Sequence, residues 1–106
     1  MESGDRKVRW TRMSCYFIAQ IKIHDRAEYQ KYLDGYDEIF STYRGIVVAV
    51  DEEPLVLEGE WPFDRTVLIR FPDSAEARRW YESPEYMELV RHRHASSKAN
   101  IVLVER

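Results

Sequence analysis

The order of hydrophobic periodicities predicts an α+β domain, β-α-β-β-α-β, with an antiparallel four-stranded sheet and helices on one face. Three observations predict it. Residues alternate with period two from Tyr16 to Ile23 and from Arg65 to Phe71. Apolar groups recur at helical spacing from Tyr29 to Tyr43. A short apolar run, Ile46 to Val50, and a closing strand pattern, Asn100 to Glu105, supply the other two strands.

In the first strand Phe17, Ala19, Ile21 and Ile23 share one apolar face, which should meet the helices. Tyr16, Ile18, Gln20 and Lys22 form a mixed face. Asp25 is placed to cap the following helix, and Glu28 to reach back as in a capping box. Tyr29, Tyr32, Leu33, Tyr36, Ile39, Phe40 and Tyr43 form the stripe of that helix. Gly35 weakens its middle by about 1 kcal/mol relative to alanine. Gly45 suits a left-handed stop. The Ile46 to Val50 run reads as a strand covered on both faces.

Leu55, Val56 and Leu57 read as a further extended segment, and Trp61-Pro62-Phe63-Asp64 as a loop. In the next strand Val67, Ile69 and Phe71 face one way, and Thr66, Leu68 and Arg70 the other. Asp73 with Glu76 repeats the capping pattern. Ser83-Pro84 then breaks the second helix and restarts it, with Ser83 as cap and Pro84 at the first position. Met87, Val90 and His94 are expected on the packed face of that last piece. This is the ferredoxin-like split βαβ pattern. It leaves one sheet face without helices. Ile18, Leu68 and one face each of the Ile46–Val50 and Ile101–Val104 runs supply apolar groups there, so a second copy of the chain is the simplest cover: a homodimer through sheet faces.

At 106 residues the chain fits one domain, expected over residues 13–106, with residues 1–12 as a flexible arm that lacks hydrophobic periodicity. Met13 stands where a natural start would fall. A formal net charge of −3 offers no basic excess to neutralise phosphates, which argues against nucleic acid as a partner. No apolar run approaches the roughly 20 residues of a membrane span. One cysteine, Cys15, excludes an internal disulfide framework and suits a reducing, cytoplasmic location.

The most distinctive stretch runs Glu58-Gly59-Glu60-Trp61, then Arg65, then Phe71-Pro72, then Trp80-Tyr81 with Ser83-Pro84-Glu85-Tyr86. In this order these residues resemble the domain-of-unknown-function family DUF1330, of the dimeric α/β-barrel group. The resemblance covers roughly residues 15–105. It implies the fold and a dimer but no reaction and no established catalytic residues. Related barrel families include cofactor-free monooxygenases, haem proteins and lactone isomerases, so the fold does not choose a chemistry.

Glu58 and Arg65 flank the Trp61 loop. One reading is a ligand-binding site in which the guanidinium orients the carboxylate beside an aromatic wall, Glu58 acting as a base if burial raises its pKa. The commoner reading is a structural ion pair closing a loop. Tyr81 and Tyr86 read either as walls of a flat apolar pocket or as core, and Trp80 as core. His94 is a candidate proton carrier; the blander reading places it and His92 near a helix C-terminus, interacting with the dipole. Two residues apart on a helix, these histidines do not form a metal pair, and no metal is expected. Phosphate loops and nucleophile elbows are absent, so no cofactor is implied. Two functions follow: a binder of a small apolar or aromatic metabolite, or a cofactor-free isomerase or monooxygenase acting on an aromatic or lactone-like substrate.

Overall fold

Seven elements follow one another in the computed structural model, which describes residues 14–106. They are β1 (Cys15–Ile23), α1 (Arg26–Phe40), β2 (Ile46–Asp51), β3 (Arg65–Phe71), α2 (Ser74–Tyr81), α3 (Pro84–Ser96) and β4 (Ser97–Glu105). The arm expected over residues 1–12, and Met13, lie outside the described residues. The sheet order is β2-β3-β1-β4, and every neighbouring pair is antiparallel. This is the ferredoxin-like arrangement, with the second helix in two pieces.

The capping residues act as their chemistry suggests. The Asp25 carboxylate accepts from the Glu28 amide at 3.1 Å, Asp73 from the Glu76 amide at 2.8 Å, and the Ser83 hydroxyl from the Tyr86 amide at 3.1 Å. Each occupies a donor that the first helical turn leaves free. Glu28 does not reach back to close a capping box. Its carboxylate instead lies 2.6 Å from Nδ1 of His92 and 3.3 Å from the Lys31 ammonium, which ties α1 to α3. These contacts, the His92 hydrogen bond foremost, hold its carboxyl below the ordinary glutamate pKa.

Three expectations need correction. Gly45 is not a left-handed helix stop: α1 ends at Phe40 with Ser41 as a right-handed cap, and among the described glycines only Gly59 has positive φ. Gly45 is instead a matter of space, since a Cβ there would stand 2.6 Å from both the Phe40 and Phe71 rings. Second, β2 is not covered on both faces. It is the sheet edge, and all six of its residues are exposed in the single chain. Third, Leu55–Leu57 forms no strand and projects outward, with Leu55 85% and Leu57 90% exposed.

The core lies between the helices and one sheet face. Phe17, Ala19 and Ile21 of β1 and Ile69 and Phe71 of β3 form its floor; Tyr29, Tyr32, Phe40, Trp80, Tyr86 and Val90 form its roof. Trp80 is the hub. Phe17, Tyr36, Phe40, Phe71, Tyr81 and Tyr86 all place ring centroids within 6.0 Å of it. Helix α3 turns its buried face differently from expectation. Tyr86, Val90, Arg93 and Ser96 point inward, while Met87 and His94 are exposed. The Ser83 cap fixes where the helix starts, and Tyr86 is then held by its hydroxyl, 2.7 Å from that of Tyr32.

On the other sheet face the register lines up apolar rows. Ala49, Leu68, Ile18 and Val102 form one row; Ile46, Arg70, Tyr16 and Val104 form the next. Ile46 and Val102 are each 54% exposed and Val104 44%.

Candidate functional site

Strands β1 and β3 send their apolar parity upward, and α1, α2 and α3 send tyrosines, a tryptophan and an arginine down. They do not close completely. A cavity of about 60 Å³ remains, floored by Phe17, Ala19, Ile21, Val67 and Ile69 and roofed by Tyr29, Tyr32, Tyr36, Trp80, Tyr86 and Arg93. Val47 and Val50 of the edge strand, with Arg65, border it on one side. These valines are 41% and 43% exposed, so the cavity meets solvent at this edge. The volume suffices for a few water molecules or one small polar head group.

The lining is apolar apart from a ring of donors. The Tyr32 and Tyr86 hydroxyls satisfy each other. The Tyr36 hydroxyl, Nε1 of Trp80 and Nη2 of Arg93 are buried with no hydrogen-bond partner. Arg93 is only 3% exposed. Its guanidinium carbon lies 5.7 Å from the Tyr32 ring centroid, and none of the ion pairs among the described residues reaches it. Burial opposes its charge, but the oxygens of Tyr86, Tyr32 and Tyr81 outweigh this and raise its pKa further. Burial also raises the hydroxyl pKa values of Tyr29, Tyr32, Tyr36 and Tyr86 above the usual tyrosine range. These hydroxyls therefore remain protonated at neutral pH and serve as donors rather than bases.

The residues singled out in the sequence divide between this cavity and the surface. Arg65 and Tyr86 line it. Tyr81 stands behind Tyr86, with ring centroids 5.4 Å apart, and opens onto a separate groove with Ala77, Arg78 and Glu82. The expected Glu58–Arg65 pair is not made. Arg65 donates to Glu52 at 2.8 Å, and Glu52 also lies 3.7 Å from Arg26. Parity explains this: Arg65 pairs with Ile21 and so points to the helix side of the sheet, toward the start of α1. Glu58 is exposed on the surface. Nor does Trp61 shield the arginine. Its Nε1 donates to the Thr66 hydroxyl at 3.2 Å, and Thr66, opposite Gln20, belongs to the other sheet face. His94 is exposed beside Glu88, Arg91 and His92, and burial together with Arg93 lowers its pKa. Cys15 is fully buried, and burial raises its thiol pKa, which keeps it protonated.

Arg93 is the residue that sequence reasoning missed. It lies seven positions after Tyr86 and three after Val90, the spacing of one helix face. That phase was available as a signal; the run Arg91-His92-Arg93-His94 disguised it as a solvated helix end.

The family model described as Domain of unknown function (DUF1330) matches residues 14–106, nearly the whole chain. The chain belongs to this family. No curated protein matches the sequence. Among solved structures, a protein of unknown function from Rhodopseudomonas palustris is similar at 16% identity and a TM-score of 0.76, covering 100% of this chain and 93% of its own. SnoaB, a cofactor-independent oxygenase from Streptomyces nogalater, is similar at 16% identity and a TM-score of 0.63, over 88% of this chain and 92% of its own. A dimeric ferredoxin-like protein of unknown function from Thermobifida fusca shares 11% identity at a TM-score of 0.63, over 89% of this chain and 92% of its own. At these identities the likeness of this DUF1330 protein to the three is one of fold alone. Among the described residues no helix is long and apolar enough to cross a membrane, and no group of three or more His, Cys, Asp or Glu converges as a metal site would need.

Proposed function

We propose that this DUF1330 protein is a homodimer that binds a small, largely apolar or aromatic metabolite in the cavity between its helices and its sheet. The observation that carries the reading is the cavity's lining: aromatic and aliphatic walls around three unpartnered buried donors. A few polar groups converging in an apolar concavity is the usual composition of a small-molecule site. The lining also favours binding over turnover. Glu58 and His94, the two candidate bases, lie outside the cavity, and the tyrosines within it are held protonated. The likeness to SnoaB, a cofactor-independent oxygenase, is one of fold and assigns no chemistry to this chain.

The reading is tested by thermal shift against a panel of aromatic and short aliphatic metabolites. A ligand at 100 times its dissociation constant adds about 2.7 kcal/mol, several degrees in Tm for a domain of this size. A panel in which nothing shifts Tm would remove the metabolite-binding reading.

The dimer rests on the rows of Ile46, Ile18, Leu68, Val102 and Val104 on the sheet face that no helix covers, and the Thermobifida fusca neighbour is described as dimeric. Light scattering at micromolar concentration should give twice 12.7 kDa. A monomer there would leave the apolar face unexplained and contradict the sheet-to-sheet dimer.

A further inference from the structure

Arg93 combines three properties that seldom occur together. It is almost fully buried, it carries a full charge, and no carboxylate among the described residues pairs with it. An unpaired buried charge is costly, and native chains retain one where something else supplies the counter-charge. The other cation at the cavity, Arg65, is already paired with Glu52. The cavity therefore holds one unbalanced positive charge, with the Tyr36 hydroxyl and Nε1 of Trp80 as further idle donors and no idle obligate acceptor.

We propose that Arg93, with Tyr36 and Trp80, is the receptor for the carboxylate of a small monocarboxylic acid whose apolar body lies along Leu33, Val47, Val50 and Val67. The inference rests on the cavity being the ligand site and adds the ligand's chemical class. A guanidinium presents two parallel N–H groups that match the two oxygens of a carboxylate, and a head group of that size suits the roughly 60 Å³ available. One unbalanced cation fits a monoanion better than a phosphate ester, which carries about two charges at neutral pH. The apolar residues toward the β2 edge give the rest of the molecule a path outward, where Val47 and Val50 meet solvent.

The test compares acids with their own amides, which keep the shape and lose the charge. Calorimetric titration of the full chain with sodium benzoate and benzamide, and with cinnamate and cinnamamide, gives the two affinities for each shape. The acid should bind roughly tenfold or more tightly, the yield of one charge-assisted hydrogen-bonded contact. In Arg93→Met the preference should vanish, with amide binding retained. The ligand-free Tm of that variant should hold or rise, because an orphan charge has been replaced by an apolar side chain. Tyr36→Phe removes one donor without opening a cavity; it should weaken the acid more than the amide, and it decides the matter if Arg93→Met fails to fold. Equal affinities for acid and amide in the unmodified protein, or an acid preference that survives Arg93→Met, would overturn the receptor and leave the cavity reading standing. Binding of neither acid nor amide would remove the receptor, while ligands found by the thermal-shift panel would still uphold the cavity.

Discussion

Trp80→Ala is expected to cost about 3–5 kcal/mol, the range for deleting a buried aromatic side chain. The residue is 1% exposed and its ring touches aromatic neighbours from β1, α1, β3, α2 and α3. No single neighbour can collapse into the space, because each is held by its own element. Edge-to-face pairs are lost as well, each about 0.5–1.5 kcal/mol beyond area. For a domain whose whole stability is about 5–15 kcal/mol, this removes a large share. Urea denaturation at fixed protein concentration measures it. Trp61→Ala is the control: that ring is 38% exposed, and it forfeits one hydrogen bond to Thr66 and one ring contact with Phe63. A Trp80→Ala midpoint close to that of Trp61→Ala would contradict the hub.

Gly45→Ala should destabilise by about 1–3 kcal/mol, the cost of overpacking a well-filled core. The added methyl would meet Cζ of Phe40 and Cε1 of Phe71, both at 2.6 Å. Those rings are 8% and 1% exposed and pack edge to face with centroids 6.0 Å apart, so moving one displaces the other. Gly35→Ala makes the contrast. Its methyl would come 2.7 Å from Cδ1 of Leu89, the end of a half-buried, flexible side chain that can turn away. Alanine also gains about 1 kcal/mol of helix propensity over glycine. Gly35→Ala should therefore be neutral or stabilising. Thermal melts of the two variants side by side decide it, and a Gly45→Ala melt at or above that of the unmodified protein would show the ring pair to be looser than it stands.

How much of this was legible in the sequence follows from which forces are local. Periods of two and 3.6 placed β1, α1 and β3, and the caps at Asp25, Asp73 and Ser83 fixed the helix starts, because both signals depend only on neighbours in the chain; the last strand, expected from Asn100, starts at Ser97. The continuous apolar run of β2 was misread as doubly covered. Such a run reports only that burial is wanted; in the single chain β2 is the sheet edge and all six of its residues are exposed. Glu58 and Arg65 were joined by proximity in sequence, but strand parity sent Arg65 to the helix side, where Glu52 reached it. Parity could have excluded the Trp61 lid, since Thr66 alternates with Arg65. Arg93 was hidden by composition. In a run of four basic or titratable groups, only the phase set by Ser83 and Tyr86 singles out the one that turns inward. The cavity itself had no sequence signal, because a void is the sum of residues from all seven elements.

In the proposed complex the ligand sits under the helices, against Trp80. A protein carrying Trp10→Phe and Trp61→Phe retains Trp80 as its one tryptophan. Titrating it with a ligand found by thermal shift, and following tryptophan emission, tests this placement directly. Binding in the cavity should give a saturable change in Trp80 emission with the same dissociation constant that calorimetry gives. Emission that stays constant while the ligand still raises Tm would place the ligand elsewhere and contradict the proposed complex.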